Sequence, residues 1–260
     1  MELKDILVEK RDGIAKVTLN RPEVLNAFSI EMREGIGTLF ESFVNDEAVR
    51  VVVLTGAGKA FSAGGDIKGW GDLKDEGRRK LIMTLAHRAV SAVTMLEKPV
   101  IAMVNGDAVG AGCNLALACD LVIAAEAARF GEVFVRLGLG PDWGGAYFLP
   151  RLIGLAKAKE LLFTGKIISA REAEQIGLIN QVVPADQLEE TVMNLAAQLA
   201  QSATRAIGMM KTFLHKVWQM DLANALQYEA YVQSECIKTE DHQEAVRAFL
   251  EKKKPVFKGK

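Results

Sequence analysis

Residues 104–145 have the sequence VNGDAVGAGCNLALACDLVIAAEAARFGEVFVRLGLGPDWGG, and this stretch is the most informative in the chain. The small-residue turn GAG at residues 110–112 begins an apolar segment, and a lone acid, Asp142, follows in a second glycine-rich turn. A comparable turn, FSAGGD, lies upstream at residues 61–66. Backbone amides exposed at such turns can bind a developing anion, and one carboxylate can move one proton. Two amides and one carboxylate are the minimum that enolate chemistry on a carbonyl compound requires.

The bulk composition narrows the class of protein. Of the 260 residues, 50% are apolar and 25% are charged, as in an ordinary globular protein. The net charge of −1 gives no global attraction for nucleic acid or an anionic membrane. No apolar run reaches membrane length, the charged start MELKD does not resemble a secretory signal, and the three cysteines lack metal-ligand spacing. These features predict a cytoplasmic protein without a metal site and without nucleic acid or membrane partners.

The first half of the chain alternates strand-like and helix-like segments. Residues 6–10 and 14–19 alternate in polarity around a short turn and predict a β-hairpin, after which Ser29 is a candidate cap for a helix that reaches Phe43. The later predicted strands are residues 49–54, 100–104 and 121–124, and the later predicted helices are residues 81–96 and 112–118. The charged segment 68–80 is predicted to be a mobile surface region. This alternation indicates an α/β fold with several parallel strands.

From residue 144 onward the pattern becomes almost wholly helical. Residues 186–202 and 222–237 carry apolar side chains at spacings of three and four. The change of period predicts a sheet-based core over residues 1–190 and a helical C-terminal region over residues 191–260. The basic run near the C-terminus is typical of a solvated tail, with contact to an anion as the alternative.

Many short motifs, in a fixed order, give the chain a family resemblance. They are RP at 21–22, LNA at 25–27, FSAGGD at 61–66, PVIAMVNG at 99–106, GAGC at 110–113, Asp120, GLGPD at 138–142, LLFTG at 161–165, FL at 249–250 and PVF at 255–257. In this order and spacing the chain resembles the crotonase, or enoyl-CoA hydratase/isomerase, superfamily. The resemblance implies an α/β fold, a crotonase-like spiral of ββα units with a helical C-terminal trimerisation region. It also implies an acyl-CoA thioester substrate, in fatty acid metabolism or aromatic degradation, and a homotrimer or hexamer with no cofactor beyond the CoA of the substrate.

The resemblance also assigns candidate site residues. The amides of Ala63 and Ala111 would form the oxyanion hole for the thioester oxygen. The backbone of Ala63, Gly64, Gly65 and Asp66 would contact the CoA adenine, and Leu25 would lie near the pantetheine arm. The basic tail would be able to reach the CoA phosphates.

The hydratase glutamates of this superfamily are replaced in this chain. Position by position, the first falls on Asn114 and the second on Phe134. An asparagine cannot exchange a proton near neutral pH, and a phenylalanine cannot hold a water molecule. A hydration mechanism with two carboxylates therefore lacks both members. Together with Trp143, these two residues are expected to line the acyl pocket instead.

Asp142 has two interpretations. Locally it is a candidate N-cap for a helix over residues 143–153. The segments LGLGPD at 137–142 and LPR at 149–151, however, resemble the ring-type enoyl-CoA isomerases of phenylacetate degradation, which place their acid at this position. One carboxylate suits a 1,3-proton shift, and its apolar neighbours would raise its pKa, whereas a helix terminus would oppose that shift. We therefore expect an isomerase in which Asp142 is the acid/base.

Three alternatives stay open at this point. A divergent hydratase would need another acid, and Glu132 is a candidate, although a solvated or salt-bridged carboxylate is its ordinary interpretation. A nucleophilic enzyme acting on aroyl-CoA would pair Asp142 with His87, as in the 4-chlorobenzoyl-CoA dehalogenase branch, but the tryptophan of that branch falls on Phe134. A non-catalytic homologue that binds CoA or RNA is the third.

Overall fold

The hairpin at the N-terminus begins the main sheet. The computed structural model describes residues 3–71 and 74–260. Strands β1 (Ile6–Arg11) and β2 (Ile14–Leu19) pair antiparallel around Asp12 and Gly13, both of which have positive φ. Two residues in this conformation match the twist of the flanking strands. The predicted hairpin is confirmed.

The main sheet continues with parallel strands. They are β3 (Val51–Gly56), β5 (Val100–Val104), β7 (Leu121–Ala125) and β10 (Gln181–Val183), in the sheet order β1-β2-β3-β5-β7-β10. All residues of β3 and β5 are buried, as expected of β-branched strands that are covered on both faces.

A second, smaller sheet lies beside the first. Its strands are β4 (Ala60–Ser62), β6 (Asp107–Val109), β8 (Arg129–Gly131) and β9 (Ile167–Ser169), in the order β4-β6-β8-β9. The strands β3, β5 and β7 of the main sheet are each followed along the chain by a strand of this one and then by a helix. These repeated ββα units form the spiral of the crotonase fold, so the predicted fold class is confirmed.

The helices of the first half mostly begin where a polar cap stands. The first, α1 (Ile30–Ser42), is capped by Ser29, whose hydroxyl accepts a hydrogen bond from the Met32 amide at 3.0 Å. The next, α2 (Glu76–Met95), begins after Asp75 and so lies partly within the segment that was predicted to be a surface region. Its first turn is charged, and apolar periodicity therefore does not reveal it. Residues 72 and 73 of that segment lie outside the described residues. The third helix, α3 (Ala111–Leu117), follows β6.

After residue 144 the regular elements are helices apart from β9 and β10, which have only three residues each and escape a search for periodicity. Its helices are α4 (Gly145–Thr164), α5 (Ala170–Gln175), α6 (Leu188–Ala200), α7 (Thr204–Val217), α8 (Leu222–Ile237) and α9 (Glu240–Leu250). Helix α6 spans the predicted boundary at residue 190, and its buried face packs on the main sheet. The division into two domains stays a prediction. None of the helices described is both long and apolar enough to cross a membrane.

Candidate active site

The two glycine-rich turns meet at the ends of the neighbouring strands β4 and β6. A Cβ atom on Gly64 would lie 2.7 Å from the Val109 carbonyl oxygen and 3.2 Å from the Ala111 nitrogen. A Cβ atom on Gly112 would lie only 2.3 Å from the Ser62 carbonyl oxygen. Side chains at either glycine would force the turns apart, so the glycines permit the contact that brings both sets of amides together.

The amides of the first turn do not all remain available. The Ala63 amide donates to the Leu25 carbonyl at 2.9 Å, and the Asp66 amide donates to the Phe28 carbonyl at 3.2 Å. The expectation that Ala63 supplies an oxyanion donor is therefore wrong, because its hydrogen is already engaged. The Gly65 amide, in contrast, has no acceptor within residues 3–71 and 74–260. On the second turn, Ala111 is the first residue of α3, and an amide at that position has no acceptor within its helix.

Both turns open into one cleft of about 370 Å³. Its lining contains six of the residues that the sequence predicted, namely Ala63, Gly64, Gly65, Ala111, Phe134 and Asp142. Most other lining side chains are apolar, among them Ile82, Met83 and Leu139. Of the described residues that line the cleft, only Arg79 and Asp142 carry charge. The cleft thus combines an apolar wall, backbone donors and one carboxylate.

Asp142 does not cap a helix. Helix α4 begins at Gly145 after Gly144, without a side-chain cap, and it is the Asp142 carbonyl that accepts from the Gly145 amide at 3.1 Å. The capping interpretation is therefore wrong. The carboxylate oxygen Oδ1 is buried and has no hydrogen-bond partner among the described residues. Burial raises the pKa of the Asp142 carboxyl above its ordinary value, while the charge of Arg33 and, less strongly, that of His87 act to lower this pKa.

Asn114 supports the Asp142 turn rather than the acyl pocket. It is fully buried, and its Nδ2 donates to the Asp142 carbonyl at 2.8 Å and to Glu132 Oε2 at 3.4 Å. A Cβ atom on Gly145 would lie 2.5 Å from the same Nδ2, so the amide is closely enclosed. Asn114 is not among the lining residues of the cleft, and that part of the prediction is wrong.

Trp143 is likewise buried and absent from the lining, contrary to the prediction. Its ring stacks on Phe28 with a centroid distance of 4.5 Å. The backbone of Trp143 has a φ of 51°, in the left-handed region that a bulky residue seldom adopts. This conformation turns the ring into the core, whereas Asp142, one residue earlier, reaches the cleft. Of the three residues predicted for the acyl pocket, Phe134 alone lines the cleft.

Two buried residues of ionisable type, Arg33 and Glu132, lie beside the site. The sequence pointed to Glu132 but not to Arg33. Arg33 on α1 is 0% exposed, and its guanidinium carbon lies 5.4 Å from the centroid of the Trp143 ring. The spacing of apolar residues could have revealed the burial of Arg33, because Arg33 lies three residues before Ile36 and seven before Phe40, on the buried face of the helix.

Glu132 is neither solvated nor salt-bridged, in contrast to its ordinary interpretation. It is buried, and its side chain hydrogen-bonds with Cys113 and Asn114. Burial raises the pKa of the Glu132 carboxyl from 4.5 to about 7. Since Glu132 does not line the cleft, it is not placed to act on a substrate directly.

The remaining predicted residues lie around the cleft. Leu25 is exposed beside the first turn, and the Asp66 carboxylate pairs with Arg21 Nη2 at 2.9 Å. His87 is exposed on α2 and does not line the cleft, although its charge reaches Asp142. Contact of Leu25 and residues 63–66 with CoA stays a prediction.

Known proteins are similar to this chain over nearly its whole length. The model of the family described as enoyl-CoA hydratase/isomerase matches residues 9–260. The chain is 41% identical to a short-chain-enoyl-CoA hydratase of Clostridium acetobutylicum, covering 98% of this chain and 97% of that protein. It is 38% identical to a 1,2-epoxyphenylacetyl-CoA isomerase of Escherichia coli, covering 98% of each.

A solved structure agrees with these matches. The crystal structure of an enoyl-CoA hydratase from Bacillus anthracis superposes with a TM-score of 0.94 at 37% identity, and the match covers 99% of this chain and 100% of that one. The chain therefore belongs to the enoyl-CoA hydratase/isomerase family of acyl-CoA enzymes, within the crotonase superfamily.

Proposed function

We propose that this enzyme moves a carbon–carbon double bond of an enoyl-CoA thioester through an enolate intermediate, with Asp142 as the acid/base. The observation that carries this proposal is the position of Asp142, which is the carboxylate in the lining of the cleft that also holds Ala111. A double-bond shift needs one group that removes a proton and returns it elsewhere, and one carboxylate is enough for both steps. Because only a proton moves, the reaction needs no metal or redox cofactor.

The oxyanion donors in this proposal are the amides of Gly65 and Ala111. Gly65 replaces Ala63, since the Ala63 amide is bound to the Leu25 carbonyl. Both donors belong to turns that are in contact, and both residues line the cleft. Donors held in advance near the thioester oxygen stabilise the enolate charge, and loss of one such donor typically costs about 3 to 4 kcal/mol.

The proton path follows from these positions. With a 3-enoyl-CoA bound, the carboxylate of Asp142 removes a proton from C2, and the electron pair of that bond spreads to the thioester oxygen. The same carboxyl group then returns the proton to C4, so that the double bond lies between C2 and C3. A raised pKa makes the Asp142 carboxylate a stronger base than an exposed aspartate.

Hydration is the second candidate function, because a similar protein from Clostridium acetobutylicum is named a hydratase. Against it, the Phe134 side chain presents no polar atom to the cleft, and Asn114 is fully buried and does not line the cleft. A hydratase built on this cleft would have to activate water with Asp142 alone.

The deciding experiment compares the wild type with Asp142→Asn on a 3-enoyl-CoA and on crotonyl-CoA. We expect the variant to lose isomerisation by a factor of about 10² to 10⁴, with little change in KM. Asp12→Asn is the matched control, since Asp12 lies exposed in the first hairpin. Full isomerisation by Asp142→Asn would contradict the assignment, and rapid hydration of crotonyl-CoA by the wild type would favour the second candidate.

Two further assays address the remaining alternatives. Release of 4-hydroxybenzoate from 4-chlorobenzoyl-CoA, lost in His87→Gln, would favour a nucleophilic enzyme in place of the isomerase. Binding of acyl-CoA without turnover of any enoyl-CoA would favour a non-catalytic homologue.

We also propose that the C-terminal helices form subunit contacts in a trimer or hexamer. Large apolar side chains are exposed there, among them Trp218 at 67%, Leu222 at 75% and Phe249 at 82%. Such patches usually mark interfaces. Sedimentation of the intact protein measures the number of subunits, and a monomer at micromolar concentration would contradict the proposal.

A further inference from the structure

We propose that the buried guanidinium of Arg33 is a positioning residue for Asp142, holding that carboxylate ionised from behind the cleft; this rests on the proposed function of Asp142. Arg33 does not line the cleft, so it cannot bind the substrate itself. Any effect of Arg33 on the reaction must therefore pass through a neighbouring residue that lines the cleft.

The burial of Arg33 requires a compensating charge. All three guanidinium nitrogens are buried and lack a hydrogen-bond partner in the described part of the chain. An arginine side chain remains protonated at every physiological pH. A buried charge without an opposite charge nearby is strongly destabilising. The buried guanidinium of Arg33 therefore indicates an electrostatic partner. The carboxylate whose charge acts favourably on Arg33 is that of Asp142.

Trp143 connects the two residues. The guanidinium of Arg33 lies over its ring at 5.4 Å, a distance at which a cation is attracted by the electrons of the ring. The Trp143 Nε1 atom and the Asp142 Oδ1 atom are also buried without a partner among the described residues. The Arg33 guanidinium, Trp143 Nε1 and Asp142 Oδ1 are therefore three buried polar groups without a partner among the described residues. Two of them belong to consecutive residues, and the third lies over the Trp143 ring.

The backbone around Asp142 is held in place, so the distance between the two charges is set by the fold. Trp143 is kept at a φ of 51°. Asn114 Nδ2 holds the Asp142 carbonyl at 2.8 Å, and the Gly145 amide donates to the same carbonyl at 3.1 Å. The carboxylate consequently faces the cleft on one side and the field of Arg33 on the other.

Three charged or titratable side chains act electrostatically on Asp142: Arg33 on α1, His87 on α2, and Glu132, which precedes the 3-10 turn Val133–Leu137. Arg79 on α2 lines the same cleft. Burial raises the pKa of the Asp142 carboxyl, and Arg33 is the strongest influence that lowers it. Arg33 thus opposes the effect of burial and favours the ionised form of the base.

The test measures the titration of Asp142 directly. Protein labelled with ¹³C at aspartate carboxyl groups is titrated by NMR as wild type, Arg33→Met and Arg33→Lys, and Asp142→Asn identifies the signal. We expect Arg33→Met to move the Asp142 midpoint up by about one pH unit, and Arg33→Lys to restore most of the wild-type value. The matched control is Arg11→Met, since Arg11 is exposed in β1 and should leave the midpoint unchanged.

Kinetics give a second readout that a purely structural role would not produce. In Arg33→Met the acid limb of the kcat/KM profile should move to higher pH together with the Asp142 midpoint. Activity should therefore fall by up to about tenfold at pH values below that midpoint and change little at higher pH. Because Arg33 does not touch the cleft, KM should change little. An equal loss at every pH, or an unchanged midpoint, would overturn the inference.

Two further variants keep the test decisive. Should Arg33→Met fail to fold, Arg33→Gln removes the charge while keeping a polar side chain, and the same shift is expected. Asp142→Asn separates the two proposals. Full activity in Asp142→Asn defeats the proposed function, whereas its inactivity together with an unshifted midpoint in Arg33→Met and Arg33→Gln defeats the inference alone.

Discussion

Glu132 is buried and Asp142 is half-buried at the cleft, and their surroundings give the two carboxyl groups different behaviour. Burial raises the pKa of the Glu132 carboxyl to about 7, and the hydrogen bonds with Cys113 and Asn114 offset only part of this rise. Asp142 has Arg33 behind it, and the positive charge opposes the effect of burial on its pKa. Glu132 therefore holds its proton to a much higher pH than an exposed glutamate does, while the charge of Arg33 favours the ionised form of Asp142.

Replacement of Glu132 by Gln should remove a pH dependence of stability. The pKa of Glu132 is about 7 in the folded protein and near 4.5 when the chain is unfolded. For an acid with a raised folded-state pKa, the stabilising contribution is complete below about pH 4.5 and is lost as the pH rises through 7. We expect the free energy of unfolding of the wild type to fall relative to Glu132→Gln by roughly 3 kcal/mol across this window.

Chemical denaturation at several pH values measures this difference. The matched control is Glu9→Gln, because Glu9 is exposed on β1. A wild-type curve that stays parallel to that of Glu132→Gln from pH 4 to pH 8 would show that Glu132 does not bind its proton in the folded state as proposed.

At the residue scale, sequence reasoning found the components of the site but not always the correct atom. Asp142 and Ala111 line the cleft as predicted. Ala63 failed as a donor because a distant carbonyl, that of Leu25, engages its amide, and only the folded chain brings the two together. Trp143 failed as a pocket residue because its left-handed backbone turns the ring inward. Both errors come from non-local geometry, which a motif does not contain.

At the element scale, the contact between the two turns depends on small residues. Gly112 is the clearest case, since a Cβ atom there would lie 2.3 Å from the Ser62 carbonyl oxygen and 2.7 Å from the Ser62 Cβ. Neither atom can move without displacing β4 from α3. We expect Gly112→Ala to lower the free energy of unfolding by about 1 to 3 kcal/mol and to reduce isomerisation, because the Ala111 and Gly65 amides are moved apart.

Thermal unfolding and enzyme assays of Gly112→Ala test this expectation. Gly140→Ala serves as the control for stability, since a Cβ atom on Gly140 meets nothing within 4 Å. If Gly112→Ala melts at the temperature of Gly140→Ala and retains full activity, the close contact between the turns is not required.

The elements themselves were predictable where the local signal was strong. The hairpin has regular alternation, and α1 has a serine cap before an apolar stripe. The strands β9 and β10 were missed because three residues do not define a period. Each is stabilised instead by pairing with a strand that lies elsewhere in the chain, β8 and β7 respectively.

At the scale of the whole molecule, one buried lysine joins the C-terminal helices to the spiral core. Lys211 on α7 is buried, and its ammonium group donates to the carbonyls of Val93 and Lys98, each at 3.2 Å, and to Asp120 Oδ2 at 2.8 Å. Asp120 in turn accepts from the Val100 amide at 2.7 Å, at the start of β5. The ion pair therefore connects α7 to the end of α2 and to the central strand of the main sheet.

Replacement of Lys211 by Met should weaken this connection severely. The methionine fills most of the same volume but leaves the Asp120 carboxylate without its positive partner and the Val93 and Lys98 carbonyls without the lysine donor. Removal of one partner from a buried ion pair typically costs about 3 to 5 kcal/mol, whereas an exposed pair contributes less than about 1 kcal/mol. Lys157→Met is the matched control, since Lys157 pairs with Glu160 on the surface of α4.

Chemical denaturation of the two variants, followed by circular dichroism, measures the difference. The double variant Lys211→Met with Asp120→Asn should regain part of the lost stability, because no uncompensated carboxylate then remains at this partly buried position. Since Asp120 and Lys211 lie far along the chain from each other, such recovery would show that their ion pair stabilises the contact between α7 and the sheet. Equal stability of Lys211→Met and Lys157→Met would instead mean that α7 is held to the core by apolar packing alone.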